Sequence, residues 1–169
     1  MTTLRTTTRP ESFSCATQPR PSTSFVELRN SLRSDRAIIS PLVDQLTRFI
    51  SRYRHGDNFE IELATSEALA NAIVHGNQED PDKRVYLSCR CSTDGEVSIT
   101  VEDEGQGFDV DEVPDPTTPD KRLGKGGRGI YLMKALIDEV RFEAGGVVVR
   151  MRKRLGQTAD HNARKNRTE

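Results

Sequence analysis

The chain has no tryptophan, and Phe and Tyr together make up only 5 % of it, so platforms for stacking nucleic-acid bases are scarce. No charge dominates: 25 Lys and Arg stand against 26 Asp and Glu, a formal net charge of −1. A basic footprint for direct nucleic-acid binding is therefore missing from the chain as a whole. No apolar run approaches the roughly 20 residues of a membrane helix, and no charged-then-apolar leader precedes the first expected strand. Cysteine is sparse, at three in 169 residues. Cys89 and Cys91 are one residue apart, so on a strand they share a face with Val85 and Leu87, a place for buried thiols. Zinc would need further ligands at suitable spacing, and none stand near them. The expectation is a soluble cytoplasmic protein without a membrane or direct nucleic-acid partner.

What is present is one domain between two polar ends. Residues 1–23 are rich in Thr, Ser, Pro and Arg, and 156–169 are polar. The first buries too little apolar surface to offset the entropy of ordering and reads as a disordered tail, and the second reads as a frayed polar tail, around a domain at 24–155. Phe25 to Leu32 reads as a strand. A helix follows on Ile38, Ile39, Leu42, Val43, Leu46, Phe49, Ile50 and Tyr53, capped by Ser34, or by Ser40 with Pro41 at the first helical position. After His55-Gly56-Asp57, with Asp57 or Asn58 as cap, a second helix runs from Phe59 to His75 on Ile61, Leu63, Ala64, Ala68, Leu69, Ala72 and Ile73. Val85 to Cys91 and Glu96 to Asp103 form a hairpin around Asp94-Gly95. Residues 108–127 are acidic and contain Pro, a length of irregular chain typical of a functional lid or a linker. A third helix opens at Gly127, and Glu139–Glu143 with Val147–Lys153 close the domain as a hairpin. The basic run from Arg150 to Arg154 reads as a solvated face and a charge-protected sheet edge. The order β-α-α-β-β-α-β-β predicts a two-layer α+β sandwich, a mixed, mainly antiparallel sheet with helices on one face.

Three clusters carry chemistry. Glu67, Asn71 and His75 are spaced by four, one polar row along the second helix. Such a row alone is ordinary solvent-facing polarity. Asp103-x-Gly105-x-Gly107 lies at a strand end, where glycines let a flat ligand reach the backbone and the aspartate can accept from an exocyclic amine. Gly124-Lys125-Gly126-Gly127-Arg128-Gly129 runs into a helix, so backbone N–H groups, the helix N-terminus and two cations make an anion site. It lacks the Gly-Lys-Ser/Thr ending of a Walker loop and the preceding strand of a Rossmann fingerprint.

In that order, Glu67-x-x-x-Asn71, Asp103-x-Gly105-x-Gly107 and Gly124-x-Gly126-x-x-Gly129 resemble the N, G1 and G2 boxes of Bergerat-fold ATPases, the histidine-kinase-like ATP domains. Within that superfamily, Ser66 to Gly76 and Gly126 to Lys134 look most like the bacterial anti-sigma factor serine kinases. The resemblance implies ATP and Mg²⁺ as cofactors. It implies that Asn71 holds the metal, Glu67 is general base for a serine hydroxyl, and Asp103 recognises the adenine amine. Gly105 and Gly107 would shape the adenine pocket, while Gly124, Lys125, Gly126, Gly127, Arg128 and Gly129 would wrap the phosphates. His75 would order its loop rather than take a proton. The implied partners are a sigma factor and a STAS-domain antagonist that receives the phosphate, with a homodimer as the assembly. One position departs from the family, since Val147, Val148 and Val149 stand where Thr often helps to hold adenine. A non-catalytic, nucleotide-gated module that sequesters a regulatory protein is the competing reading.

Overall fold

The computed structural model describes residues 2–7, 24–54, 57–107 and 128–155, the first of these as backbone only. Strand β1 is Thr2–Thr7 and β2 is Phe25–Arg33; helix α1 is Ile39–Tyr53 and α2 is Phe59–Ala70. Strands β3, Arg84–Ser92, and β4, Glu96–Asp103, precede helix α3, Arg128–Leu136, and then β5, Glu139–Glu143, and β6, Val148–Arg154. The six strands lie in the order β1-β2-β3-β4-β6-β5, and every pairing between them is antiparallel. From β2 onward this is the expected order of elements, in the expected two layers.

Alternation along the strands decides which face is covered. On β3, Val85, Leu87, Cys89 and Cys91 are buried, while Arg90 is exposed and Ser88 half-buried. On β4 the buried set is Val97, Ile99 and Val101, ending in Asp103. Helix α1 presents Leu42, Val43, Leu46, Phe49 and Ile50 to this face, and α2 presents Ile61, Ala64, Ala68 and Leu69. Each large apolar side chain so buried stabilises by about 1.5–3 kcal/mol. Helix α2 packs against both α1 and α3, so it is buried on more than one side. Lys153 on β6 fastens the far end: its ammonium donates to the Leu136 carbonyl at the end of α3 (2.6 Å) and pairs with Glu60 on α2 (2.6 Å).

The opposite face of the sheet is polar. Arg152 bridges Glu96 (3.0 Å) and Glu139 (3.1 Å), and Arg150 meets Glu143 (2.8 Å). The basic run is thus a solvated face, as expected. It is not an edge, because β6 lies between β4 and β5, and the edge belongs to β5. Glu27 is nearly buried on this face between Arg29 (3.0 Å) and Arg90 (2.8 Å). Burial pulls its carboxyl up, but the two guanidiniums outweigh that and hold it below the usual range.

Some expectations change. Thr2–Thr7 is not a tail: its backbone pairs with Phe25–Asn30 of β2, whose outer N–H and C=O groups need partners, and β-branched Thr suits a strand. Residues 8–23 and 156–169 lie outside the described residues. Neither Ser34 nor Ser40 caps α1. Asp35 accepts from the Ala37 N–H (2.8 Å) and starts a single 3₁₀ turn, Arg36–Ile38, that leads into the helix. Asp57, not Asn58, takes the Phe59 N–H (2.9 Å) ahead of α2.

The second helix does not continue as α-helix to His75. From Asn71 to Gly76 it widens into π-helical turns, closed by the Asn77 N–H on the Ala72 carbonyl at 2.8 Å. Turns of this kind are frequent at functional sites.

Candidate functional site

The α-helical part of α2 ends where the polar row begins. Glu67, on its last full turn, and Asn71, first of the widened turns, both point at Gly129 in the opening turn of α3. A Cβ on Gly129 would lie 2.6 Å from Glu67 Oε2 and 3.5 Å from both amide atoms of Asn71. The carboxylate and the amide therefore meet over a glycine backbone at a helix N-terminus. Glu67 and Asn71 are half-buried, and the Asn71 Nδ2 is shielded from solvent with no hydrogen-bond partner among the described residues. Leaving such an amide unpaired costs about 1–3 kcal/mol, so this group fits a ligand. Its nitrogen suits a phosphate oxygen, and its oxygen suits a hard cation.

His75 does not join them. It is exposed, and its imidazole makes no hydrogen bond to a described residue, since the widened turns break the spacing of four that would stack it over Asn71. It does not order its loop either. That work falls to Asn77, which is fully buried; its Oδ1 accepts the Glu104 N–H (2.8 Å) and its Nδ2 donates to the Arg84 carbonyl (2.8 Å). Sequence reasoning missed Asn77. The available signal was a second carboxamide directly after the helix-ending glycine, in a loop with no apolar residue to hold it.

Asp103 closes β4 and is 7 % exposed. Its Oδ1 accepts the Gly105 N–H (2.8 Å), and burial raises its carboxyl above the usual range. Its backbone N–H reaches the Val147 carbonyl at 3.2 Å. Gly76 and Gly105 are in close approach around it. A Cβ on Gly76 would overlap the Asp103 carboxylate, and one on Gly105 would overlap the Gly76 carbonyl. Gly107 has φ +76 and abuts the Gly145 backbone of the final hairpin, with Val147 Cγ2 3.2 Å from where its Cβ would stand. Of the three valines in the departing stretch, Val147 is the one at this pocket. Val149 is in the core opposite Val101, and Val148 pairs with Glu102.

Two subsites are thus built from adjoining parts of the chain: a carboxylate in a glycine-lined pocket at the end of β4, and a carboxylate–amide pair facing the start of α3. Arg128 is exposed on the first turn of α3. Gly124, Lys125, Gly126 and Gly127, with the expected lid, lie outside the described residues. Among the described residues no cluster of three or more His, Cys, Asp or Glu could hold a metal by itself. A cation at Asn71 would have to share its coordination with ligand oxygens, as Mg²⁺ does beside phosphates. No helix among the described residues is long and apolar enough to cross a membrane.

This antiparallel sheet under helices carries a buried strand-end aspartate and a helix-borne Glu and Asn, and residues 32–153 match the histidine kinase-like ATPase domain. The chain is 38 % identical over 99 residues to an anti-sigma F factor of Heyndrickxia coagulans, covering 56 % of this chain and 67 % of that one. It is 36 % identical over 118 residues to the serine-protein kinase RsbW of Bacillus subtilis (strain 168), covering 65 % and 73 %. With an anti-sigma F factor of Geobacillus thermodenitrificans it shares 34 % over 127 residues, covering 72 % and 78 %. The chain belongs to the histidine kinase-like ATPase family, in the branch of the anti-sigma factors and serine-protein kinases.

Proposed function

We propose that the protein is a Mg·ATP-dependent protein serine kinase that acts as an anti-sigma factor, holding a sigma factor and phosphorylating a STAS-type antagonist. The observation that carries this reading is the meeting over Gly129 of the Glu67 carboxylate and the Asn71 amide, whose Nδ2 has no hydrogen-bond partner among the described residues. Asn71 offers its oxygen to the cation, and Asp103 accepts from the adenine amine between Gly76 and Gly105. Gly124 to Gly129 supply backbone N–H groups and the charges of Lys125 and Arg128 to the phosphates. Bound Mg·ATP supplies the phosphoryl group and a cation that offsets its charge. Glu67 takes the proton from the partner's serine hydroxyl as that oxygen bonds to the γ-phosphorus and the bond to ADP breaks. The protein's contribution is then positioning and charge neutralisation, with one proton accepted.

The names of the relatives support both halves of this function, regulation of a sigma factor and serine phosphorylation. We propose further that the working assembly is a homodimer in the cytoplasm. Incubating the protein with labelled ATP, Mg²⁺ and a STAS-domain protein tests the reading. Label on a serine of the STAS protein is expected. Nucleotide binding without any transfer would leave the sequestering module as the better description.

A further inference from the structure

The turn that follows Asp103 is tied to the rest of the fold by one buried side chain, Asn77. Asp103 ends β4, and the chain turns immediately after it. The direction of that turn is set at the Glu104 N–H, which is held by Asn77 Oδ1 at 2.8 Å. The other end of the same amide donates to the Arg84 carbonyl at the start of β3, also at 2.8 Å. The Asn77 N–H closes the widened helical turn on the Ala72 carbonyl (2.8 Å), and its carbonyl accepts the Asp80 N–H (3.1 Å). One fully buried side chain therefore joins the end of the α2 extension, the first residue of β3 and the residue after Asp103. Its chain neighbour Gly76 lies against the Asp103 carboxylate, and Gly105, whose N–H fixes Asp103 Oδ1, lies against the Gly76 carbonyl. These contacts tie the position of the Asp103 carboxylate to Asn77, Gly76 and Gly105. The following residues, Gln78 and Glu79, both hold left-handed backbone, with φ of 57 and 59. That conformation is unfavourable for non-glycine residues and persists only where the surroundings fix it.

We propose that Asn77 is a positioning residue for base selection, aligning Asp103 through the Glu104 and Gly105 turn so that the pocket prefers a purine bearing a 6-amino group. This rests on the reading of Asp103 as the adenine acceptor. A purely structural tie would support the fold but leave the choice of base untouched, and that difference is measurable. An amide that satisfies two buried backbone groups is hard to replace. Leucine leaves both unpaired, while aspartate keeps the acceptor for Glu104 and sets an oxygen against the Arg84 carbonyl.

The experiment is calorimetric binding of Mg·ATP and of Mg·purine riboside triphosphate, which lacks only the 6-amino group, to the full chain. Wild type, Asn77→Leu, Asn77→Asp, Asp103→Ala and the Asn77→Leu/Asp103→Ala double variant are compared. In wild type ATP should bind more tightly than the analogue. In Asn77→Leu that preference should fall by about tenfold, the effect of one misaligned hydrogen bond, with affinity for the analogue little changed. In the double variant the preference should equal that of Asp103→Ala, because Asn77 acts through Asp103. Should Asn77→Leu fail to fold, Asn77→Asp carries the test with a smaller fall in preference expected, because it keeps the acceptor for the Glu104 N–H and loses only the bond to the Arg84 carbonyl. If the Asn77 variants weaken both nucleotides in parallel while Asp103→Ala alone loses the preference, the inference is wrong and the adenine assignment stands. If wild type shows no preference, the adenine assignment itself fails and the inference falls with it.

Discussion

Asp103 is a carboxyl that folding has made harder to ionise. Burial raises its pKa, so in the free protein the ionised form is disfavoured as pH rises through the unfolded value toward the raised one. An amine donor in the pocket favours the ionised form, so nucleotide binding should draw the proton off. The sign follows: ATP affinity should weaken as pH falls through the raised value, and the advantage of wild type over Asp103→Ala should shrink with it. At neutral pH the substitution should cost about 1–3 kcal/mol of ATP binding, because it leaves a buried amine without an acceptor. Calorimetry on both proteins across the acid range checks this, and equal affinities at neutral pH would remove Asp103 from the site. At this scale the sequence was most legible for groups with a chemical signature. A carboxylate followed by spaced glycines at a strand end marks itself as a candidate, whereas Glu67 with Asn71 stood out only beside the two glycine clusters, since such a row alone is ordinary solvent-facing polarity. Asn77 could not, since its role lies in two hydrogen bonds to backbone groups of residues 84 and 104, whose nearness only the fold provides. His75 was misplaced because a spacing of four marks one face only while the helix remains α.

Among elements, α2 and α3 share one glycine between helix propensity and chemistry. Gly129 lies in the first turn of α3, where Ala would ordinarily stabilise by up to about 1 kcal/mol. Its Cβ would come 2.6 Å from Glu67 Oε2, the free end of a flexible side chain rather than backbone. The carboxylate can swing aside without disturbing the helix pair. Gly129→Ala should therefore melt at the same temperature as wild type or slightly higher, yet transfer phosphate at least about tenfold more slowly, up to the roughly 10²–10⁴-fold that complete loss of a general base costs. Thermal melts and single-turnover transfer on the same preparation check it, and undiminished transfer would mean that Glu67 is not needed in its observed position. The existence and order of the elements from β2 to β6 followed from apolar periodicity, which burial enforces. Their ends did not. Asp35 caps a 3₁₀ turn ahead of α1 while neither serine caps the helix, and α2 widened at Asn71, both being local choices among residues of similar propensity. Strand β1 escaped notice because its support is a neighbour's open edge and not its own composition.

For the whole molecule, the polar face of the sheet and the helix-covered face respond differently to acid. Glu27 is held below its ordinary pKa, so its contribution is present above the unfolded value near 4.5 and is lost as pH falls through the lower folded value. Glu27→Gln should destabilise the protein at neutral pH by about 1.5–3 kcal/mol, the worth of hydrogen bonds to a charged group. The gap to wild type should close below pH 4.5. Denaturant unfolding at several pH values decides this, and a gap independent of pH would show that the carboxylate's charge is not what binds Arg29 and Arg90. Function at this scale rests on the proposal that the domain transfers phosphate as well as binding nucleotide. Glu67→Gln keeps the shape and polar end of the side chain while removing the proton acceptor, and Asn71→Ala removes the proposed metal ligand. With thermal stability checked first, the most direct measurement is the single-turnover rate of phosphoryl transfer to a STAS-domain protein by Glu67→Gln at saturating Mg·ATP. The rate should fall by about 10²–10⁴-fold with ATP affinity retained, whereas Asn71→Ala should lose affinity for Mg·ATP itself. Transfer by Glu67→Gln at the wild-type rate would contradict the catalytic assignment.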